Sequence, residues 1–197
     1  MREALKALFE GRFGHAEKAA LRAAELEENA GLAALIGARA AHRMRQSERR
    51  DSWLARVEGD ASLKTARLMT VTELLVDDHQ PEAALAAVRE LNASGTRHIH
   101  ALQWSLKAEQ QAKNWPEVLR LVRSLDKHRA LHPALSSRLR ELAYDHLLSD
   151  PSHDAESLMR VWSTVPSSDR VKPYIACRAA TASRAGMRAT LLARAGG

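Results

Sequence analysis

Three short stretches decide the fold, and each opens an amphipathic run: Gly11-Arg-Phe-Gly-His-Ala-Glu17, Asp78-His-Gln-Pro-Glu-Ala83 and Lys113-Asn-Trp-Pro-Glu-Val118. The three runs stand in the same phase of a unit of about 34 residues, so that Phe13 and Trp115 are separated by three such periods. Units of that length are typical of a helix, a turn and a second helix. The recurrence therefore predicts pairs of short helices repeated along the chain.

Composition agrees with a helical chain. Of the 197 residues, 45% are hydrophobic but only 4% are aromatic, and alanine and leucine are plentiful. Small side chains let helices pack closely, whereas sheet cores are rich in β-branched and aromatic residues. The sequence predicts an all-α protein with a single domain over residues 1–197, an α-α superhelix (solenoid) of about five to six antiparallel helix pairs.

Apolar spacing and breaker residues place the individual helices. A first hairpin lies on either side of residues 11–14, and Ser47 is a candidate N-cap. Pro81 and Pro116 both stand at helix starts, each followed by a glutamate that suits the first turn. The later helix pairs are predicted at 32–44 with 48–58, 63–76 with 82–91, 99–112 with 117–127, 134–148 with 155–162, and 172–185 with 187–194.

The repeats resemble tetratricopeptide repeats, in which a small residue early in the second helix packs against the first. Ala16, Ala83 and, less well, Val118 fit that position, whereas Arg50 and Ser157 do not. Most of the aromatic and glycine signature of the first helix is missing. The resemblance therefore implies degenerate copies.

Candidate chemistry is sparse. The single cysteine, Cys177, excludes an internal disulfide and a cysteine-rich zinc site, and its surroundings predict a residue packed in a helix. His98 and His100 point about 200° apart on a helix, and Pro133 follows His132 and breaks the helical spacing from His128. Dinucleotide, phosphate-loop and nucleophile-elbow motifs are missing from the sequence. We expect no enzyme activity, no cofactor and no metal.

Four tryptophans recur inside the predicted repeats, and we interpret them as core residues: Trp53, Trp104, Trp115 and Trp162. Trp115 stands just before Pro116, where an aromatic ring can seal one helix pair against the next. Loss of that ring in Trp115→Ala is expected to lower the melting temperature by several degrees, as for the loss of about 3 to 5 kcal/mol on truncating a buried aromatic.

The net charge of +6 and the pI near 9.9 raise nucleic acid as a partner. Basic residues are interleaved with acidic ones along most of the chain, which disfavours that partner. One local cluster stands out, residues 39–45 with Arg49 and Arg50. Either it is a solvated helix face or it is a functional electropositive patch.

In a tetratricopeptide array the first helix of each pair lines the groove. Projecting that frame gives seven candidate partner-binding residues: Arg39, His42, Arg43, His100, Gln103, Lys107 and Gln110. A stripe of Thr65, Leu68 and Thr72 would lie between the two groups. Such a groove, basic at one end and apolar in the middle, would suit an extended segment with acidic and apolar residues. The alternative is a hydrated surface without a dedicated ligand.

Several phrases are similar to the soluble part of the HemY proteins of proteobacteria, which are encoded with late haem-biosynthesis genes. The similarity extends over most of the chain. It is carried by residues 4–18, 38–44, 114–121 and 158–166, with Arg170 and Pro173.

This resemblance implies an inner-membrane protein with an N-terminal hydrophobic hairpin followed by tetratricopeptide repeats, acting in a late step of protohaem IX formation. No run of the chain approaches the roughly 18 to 20 apolar residues of a membrane span. We therefore expect a soluble fragment, on the cytoplasmic face, that lacks the membrane hairpin and the last repeats. Its expected role is to hold protein partners such as late haem-biosynthesis enzymes. The alternatives are a porphyrin or haem carrier, and a basic nucleic-acid-binding helical domain.

Overall fold

The computed structural model describes residues 1–93, 98–172 and 175–184. Within those ranges the ordered elements are helices, without a strand, which confirms the prediction of an all-α protein. The α-helices are α1 Arg2–Phe9, α2 Phe13–Ala24, α3 Glu27–Arg43, α4 Ser47–Ala55, α5 Lys64–Asp77, α6 Pro81–Ala93, α7 Ile99–Gln111, α8 Trp115–Lys127, α9 Pro133–Leu148, α10 Ala155–Thr164 and α11 Ser167–Arg170. A 3-10 turn at Ala61–Leu63 precedes α5, and residues 175–184 are also helical.

The chain divides into two compact units, Met1–Gln111 and Ala112–Gly197. In the first unit consecutive helices pack on one another from α1 to α4 and from α5 to α7, and the odd-numbered helices α1, α3, α5 and α7 also touch in that order. In the second unit α9 packs against both α8 and α10.

The even-numbered helices keep a strict phase through α8. They begin at Phe13, Ser47, Pro81 and Trp115, at intervals of 34 residues. Two residues before each start the backbone enters the left-handed region, at Gly11, Arg45, His79 and Lys113, with φ between 55° and 72°.

Each of the first three turns is closed by the same pattern of hydrogen bonds. The N–H of Arg12 donates to the carbonyl of Ala7 at 2.9 Å, and the N–H of Gln46 donates to that of Ala41 at 3.0 Å. Gln80 repeats the bond at 2.9 Å. This is the Schellman motif, which satisfies carbonyls at a helix C-terminus by placing one residue in the left-handed conformation. A conserved turn geometry, rather than a conserved turn sequence, sets the repeat length.

Several predicted boundaries were wrong. Helix α3 begins at Glu27, not at 32, and Gly31 lies within it at a close approach to the next pair: a Cβ there would lie 2.3 Å from Cδ1 of Leu63. Ser47 is the first residue of α4 and not its N-cap, which is Gln46. Helix α11 was not predicted, and the predicted helix at 187–194 lies outside the described residues.

Alanine and glycine bring the helices of the first unit together. The main cluster contains alanines of α1, α2 and α3 around Trp53 and Val57. A Cβ on Gly37 would lie 2.5 Å from the Trp53 ring, so only glycine admits the indole at that point. The small residue that packs early in the second helix of a pair is Ala16 in α2 and Ala84 in α6, and both are fully buried. Ala83, which the sequence favoured, is exposed, because the residue two 34-residue periods after Ala16 is Ala84.

The tryptophans do not share one environment. Trp53 is 5% exposed and lies in the core, as predicted. Trp104, Trp115 and Trp162 are only half-buried. Trp115 stacks on His146 within the second unit, with ring centroids 4.3 Å apart and planes 6° from parallel.

Ion pairs hold the second unit around Asp169, which is 2% exposed. Arg140 Nε lies 3.0 Å from Asp169 and its Nη1 lies 3.0 Å from Asp126. Lys172 lies 3.2 Å from Asp169 and 2.6 Å from Glu141. Burial opposes the charge on Lys172, but the hydrogen bonds to these carboxylates outweigh it and raise its pKa. The hydrogen bond from Lys172 lowers the pKa of Glu141.

Candidate partner-binding groove

Three odd-numbered helices carry charged side chains at one and the same repeat position. These are Arg39 on α3, Glu73 on α5 and Lys107 on α7, each 34 residues from the next. Arg39 Nη2 donates to Glu73 Oε2 at 2.7 Å. Equivalent positions on neighbouring helices therefore face each other, and here they carry opposite charges.

The same arrangement recurs one turn further along. Arg43 Nη1 lies 3.5 Å from Asp77 Oδ2, again 34 residues away. The ring of His42 is 6% exposed and lies between Asp77 and Asp78, at 3.7 and 3.8 Å. Arg50 also pairs with Asp78. Hydrogen bonds with Asp51 and with Asp78 raise the pKa of Arg50.

These contacts account for the basic cluster of residues 39–50. Arg39 and Arg43 pair with carboxylates of α5 and Arg50 pairs with Asp78 just after it, so these three arginines bind one helix pair to the next. Arg39 and Arg43 remain about half exposed beside their partners, whereas the ring of His42 is buried near Asp77 and Asp78. The pairing could have been found in the sequence by comparing residues one period apart.

The expected apolar middle of the groove was wrong. Leu68 and Thr72 are buried, and only Thr65 is exposed. Leu68 packs with Leu91 and Ala101, and the Thr72 hydroxyl donates to the Leu68 carbonyl at 2.8 Å. Helical spacing shows that such residues share one face of α5, but that face packs against α6 and α7.

The candidate residues on α7 lie partly at a shallow depression of about 420 Å³. Lys107, Gln110 and Gln111 line it together with Val76, Asp77 and His79 of the preceding pair. Gln111 Nε2 donates to the Val76 carbonyl at 2.9 Å, and Lys107 Nζ lies 4.3 Å from the centroid of the Trp104 ring. These contacts fix the α7 side of the depression.

Asp77 lies between the candidate residues of α3 and those of α7. It pairs with Arg43, and it lines the depression with Lys107 and Gln110. His100 is exposed near the start of α7, and Gln103 is half-buried one turn later. Guanidinium, ammonium, amide and carboxylate groups thus lie side by side across three helices. Such groups bind by ion pairing and hydrogen bonds.

A buried cluster in the first unit was missed from the sequence. Glu17 is 4% exposed and accepts hydrogen bonds from Trp53 Nε1 at 3.0 Å and Arg49 Nη2 at 2.5 Å. The guanidinium of Arg56 lies 4.3 Å from the centroid of the Trp53 ring. A glutamate within the alanine face of α2 was the available signal, because a carboxylate buried there needs partners.

Cys177 is exposed, contrary to the prediction that it is packed. It lies in the helical residues 175–184 but on their outer side. Among the described residues, no group of three or more His, Cys, Asp and Glu is placed to hold a metal ion. His132 Nδ1 accepts a hydrogen bond from the N–H of Ala134 and so caps α9.

None of the described helices is both long enough and apolar enough to cross a membrane. Comparison with known proteins yields no matching family model, no matching curated protein and no matching solved structure.

Proposed function

We propose that this chain is a non-catalytic scaffold, a tetratricopeptide-like α-α superhelix of about five to six helix pairs that binds a protein partner in the groove of its first helices. The observation that carries the proposal is the side-by-side placement of equivalent positions on α3, α5 and α7. The clearest examples of this placement are the Arg39–Glu73 ion pair and the depression that Asp77 lines. Polar groups presented at regular steps suit an extended segment.

The ion pairs within the groove narrow the chemistry that is expected of the partner. Because Arg39 and Arg43 already face carboxylates, a purely acidic segment would have to compete with Glu73 and Asp77. A segment of mixed charge would contact both members of each pair. We infer that the partner presents acidic and basic side chains in alternation.

The proposed place of action is a late step of protohaem IX formation at the bacterial inner membrane. Its support is the resemblance of residues 4–18, 38–44 and 114–121 to HemY proteins. In this proposal the membrane attachment belongs to a segment outside the chain, and the partners are enzymes that complete haem.

The test is binding of the immobilised chain to purified enzymes of the last steps of protohaem synthesis. The double variant Arg39→Glu with Glu73→Arg inverts the direction of this ion pair and removes the 3.9 Å contact of Glu73 with Arg43, so it should lose about tenfold or more in affinity, and circular dichroism checks its fold. Arg89→Glu on α6 is the matched charge reversal outside the first helices. If the chain binds none of these enzymes, the haem-specific proposal is refuted.

Two cheap titrations separate the remaining functions. A Soret shift on adding haem would favour a porphyrin carrier. A salt-dependent mobility shift with DNA or RNA would favour nucleic-acid binding. The scaffold proposal expects neither result, because Arg39, Arg43, Arg49 and Arg50 of the basic cluster already face carboxylates of this chain.

A further inference from the structure

Helices α2 and α4 both pack against α3 and leave between them a small cavity of about 210 Å³. It is separate from the groove, since it belongs to the second helices of the pairs. Its walls are Lys18 and Leu21 of α2 with Arg49, Ser52 and Trp53 of α4 and its C-cap Arg56, and Glu17 completes the lining.

Helical geometry brings these residues to one side of each helix. Lys18 and Leu21 are three residues apart on α2, and Arg49, Ser52 and Arg56 follow at steps of three and four on α4. Residues at those steps lie on one face of a helix. The two faces meet at the cavity.

The charges at the mouth of the cavity are cationic. Glu17 is its one lining carboxylate, and it is buried and satisfied by Trp53 and Arg49. Lys18, Arg49 and Arg56 are all exposed. Contact with the Trp53 ring holds Arg56 in place, which reduces the entropy lost when it binds an anion.

An apolar contact lies beside these cations. Leu21 is 51% exposed at the rim of the cavity. A ligand that fits both features carries a carboxylate next to an aliphatic side chain. A protein segment supplies a carboxylate and an aliphatic group on adjacent side chains, whereas a phosphate backbone supplies no aliphatic side chain for Leu21, so a protein segment fits better than a nucleic acid.

We propose that the cavity between α2 and α4 is a second docking site, which takes a partner segment with an acidic residue adjacent to a leucine-like residue. The carboxylate binds Lys18 and Arg56, and the aliphatic side chain packs on Leu21. The site lies on the second helices, so it lets the scaffold hold one segment there while the groove holds another. Its occupation does not depend on Arg39 or Glu73.

The experiment is an NMR titration of the ¹⁵N-labelled chain with the peptide acetyl-Asp-Glu-Leu-Glu-Asp-Leu-amide. The indole N–H signal of Trp53 is expected to shift, and a peptide with Asn and Gln for Asp and Glu should leave it unchanged. Lys18→Glu with Arg56→Glu should weaken binding by about tenfold or more. The matched reversal Arg89→Glu on α6 should change affinity by less than about twofold.

Circular dichroism checks that the variants fold. If the double reversal unfolds the chain, Lys18→Gln and Leu21→Asn replace it, because both side chains are exposed. Equal weakening by Arg89→Glu, or shifts confined to His100 and Lys107 of α7, would overturn the proposal. The same titration is repeated with a strand of twelve thymidine nucleotides. If the Trp53 signal reports tighter binding of that strand than of the peptide, the proposal is overturned in favour of nucleic acid.

Discussion

In the unit Met1–Gln111 the two helices of each pair are joined by three residues, at 10–12, 44–46 and 78–80. In the unit Ala112–Gly197 the connection between α9 and α10 is twice as long, at 149–154. The first set of turns preserves the 34-residue phase, and the longer connection ends it. Regular repetition thus depends on closing each turn in the same left-handed geometry.

The two units also differ in what lies between their helices. Alanines and glycines of α2 and α3 pack around the Trp53 indole in the first, whereas the second combines larger buried side chains such as Leu121 and Leu125 with a network of Arg140, Lys172 and three carboxylates. Small apolar side chains tolerate the same helix spacing in every repeat. Asp169 is the one fully buried member of this network, so its charge depends most on the cations beside it.

The largest expected effect is that of Trp53→Ala. Removal of this buried ring should lower the free energy of unfolding by about 3 to 5 kcal/mol. Trp115→Ala in the second unit should cost about 1 to 2 kcal/mol, because Trp115 is half-buried and stacked on His146. Urea denaturation measures both. Equal losses would mean that the two units do not differ in packing.

Arg140→Met tests the ion network. Asp126 and Asp169 lose their guanidinium, and Lys172 replaces only part of it, so we expect a loss of about 3 kcal/mol. Arg138→Met, an exposed neighbour on α9, is the control and should change stability by less than about 0.5 kcal/mol. Thermal melting distinguishes them. A loss no larger than that of the control would show that the network is not needed.

The left-handed turn residues give a smaller effect. Gly11→Ala introduces a Cβ at φ 72° and should destabilise the chain by about 1 kcal/mol. His79→Gly relieves the same strain at φ 55° and should stabilise it by about 0.5 kcal/mol, because the added freedom of the unfolded chain offsets part of the gain. Opposite signs in thermal melting are expected. A destabilising His79→Gly would refute a common turn geometry.

The smallest effect is the pH dependence of Glu141→Gln. The folded-state pKa of Glu141 is lowered from 4.5 by Lys172, so its contribution is present above about pH 4.5 and is lost as the pH falls through the lowered value. The variant should be less stable than the parent by at most about 0.5 kcal/mol at pH 7, since Glu141 is partly exposed. Melting temperatures between pH 2 and 7 check this. A difference that persists at the lowest pH would contradict it.

The sequence predicted the helical class and the starts at Pro81 and near Trp115, because proline and glycine act locally. It did not place the apolar stripe of Leu68 and Thr72 correctly, since both are buried. The spacing of Leu68 and Thr72 defines a face of α5 but not the helix that covers it. The sequence also did not predict the contacts of Glu17 with Trp53 and of Arg140 with Asp169. Each contact joins residues that are far apart in the sequence, so no local pattern contains it.

Equivalent positions with opposite charges have a consequence for the order of the helix pairs. Deletion of residues 47–80 would remove one full period and keep the phase of every turn that remains. It would also bring Arg39 of α3 to the position next to Lys107 of α7, so that two cations would meet where a cation and a carboxylate now pair. The Arg39–Glu73 pair therefore makes neighbouring copies non-interchangeable, and repeats that share a length cannot be shuffled or skipped without loss.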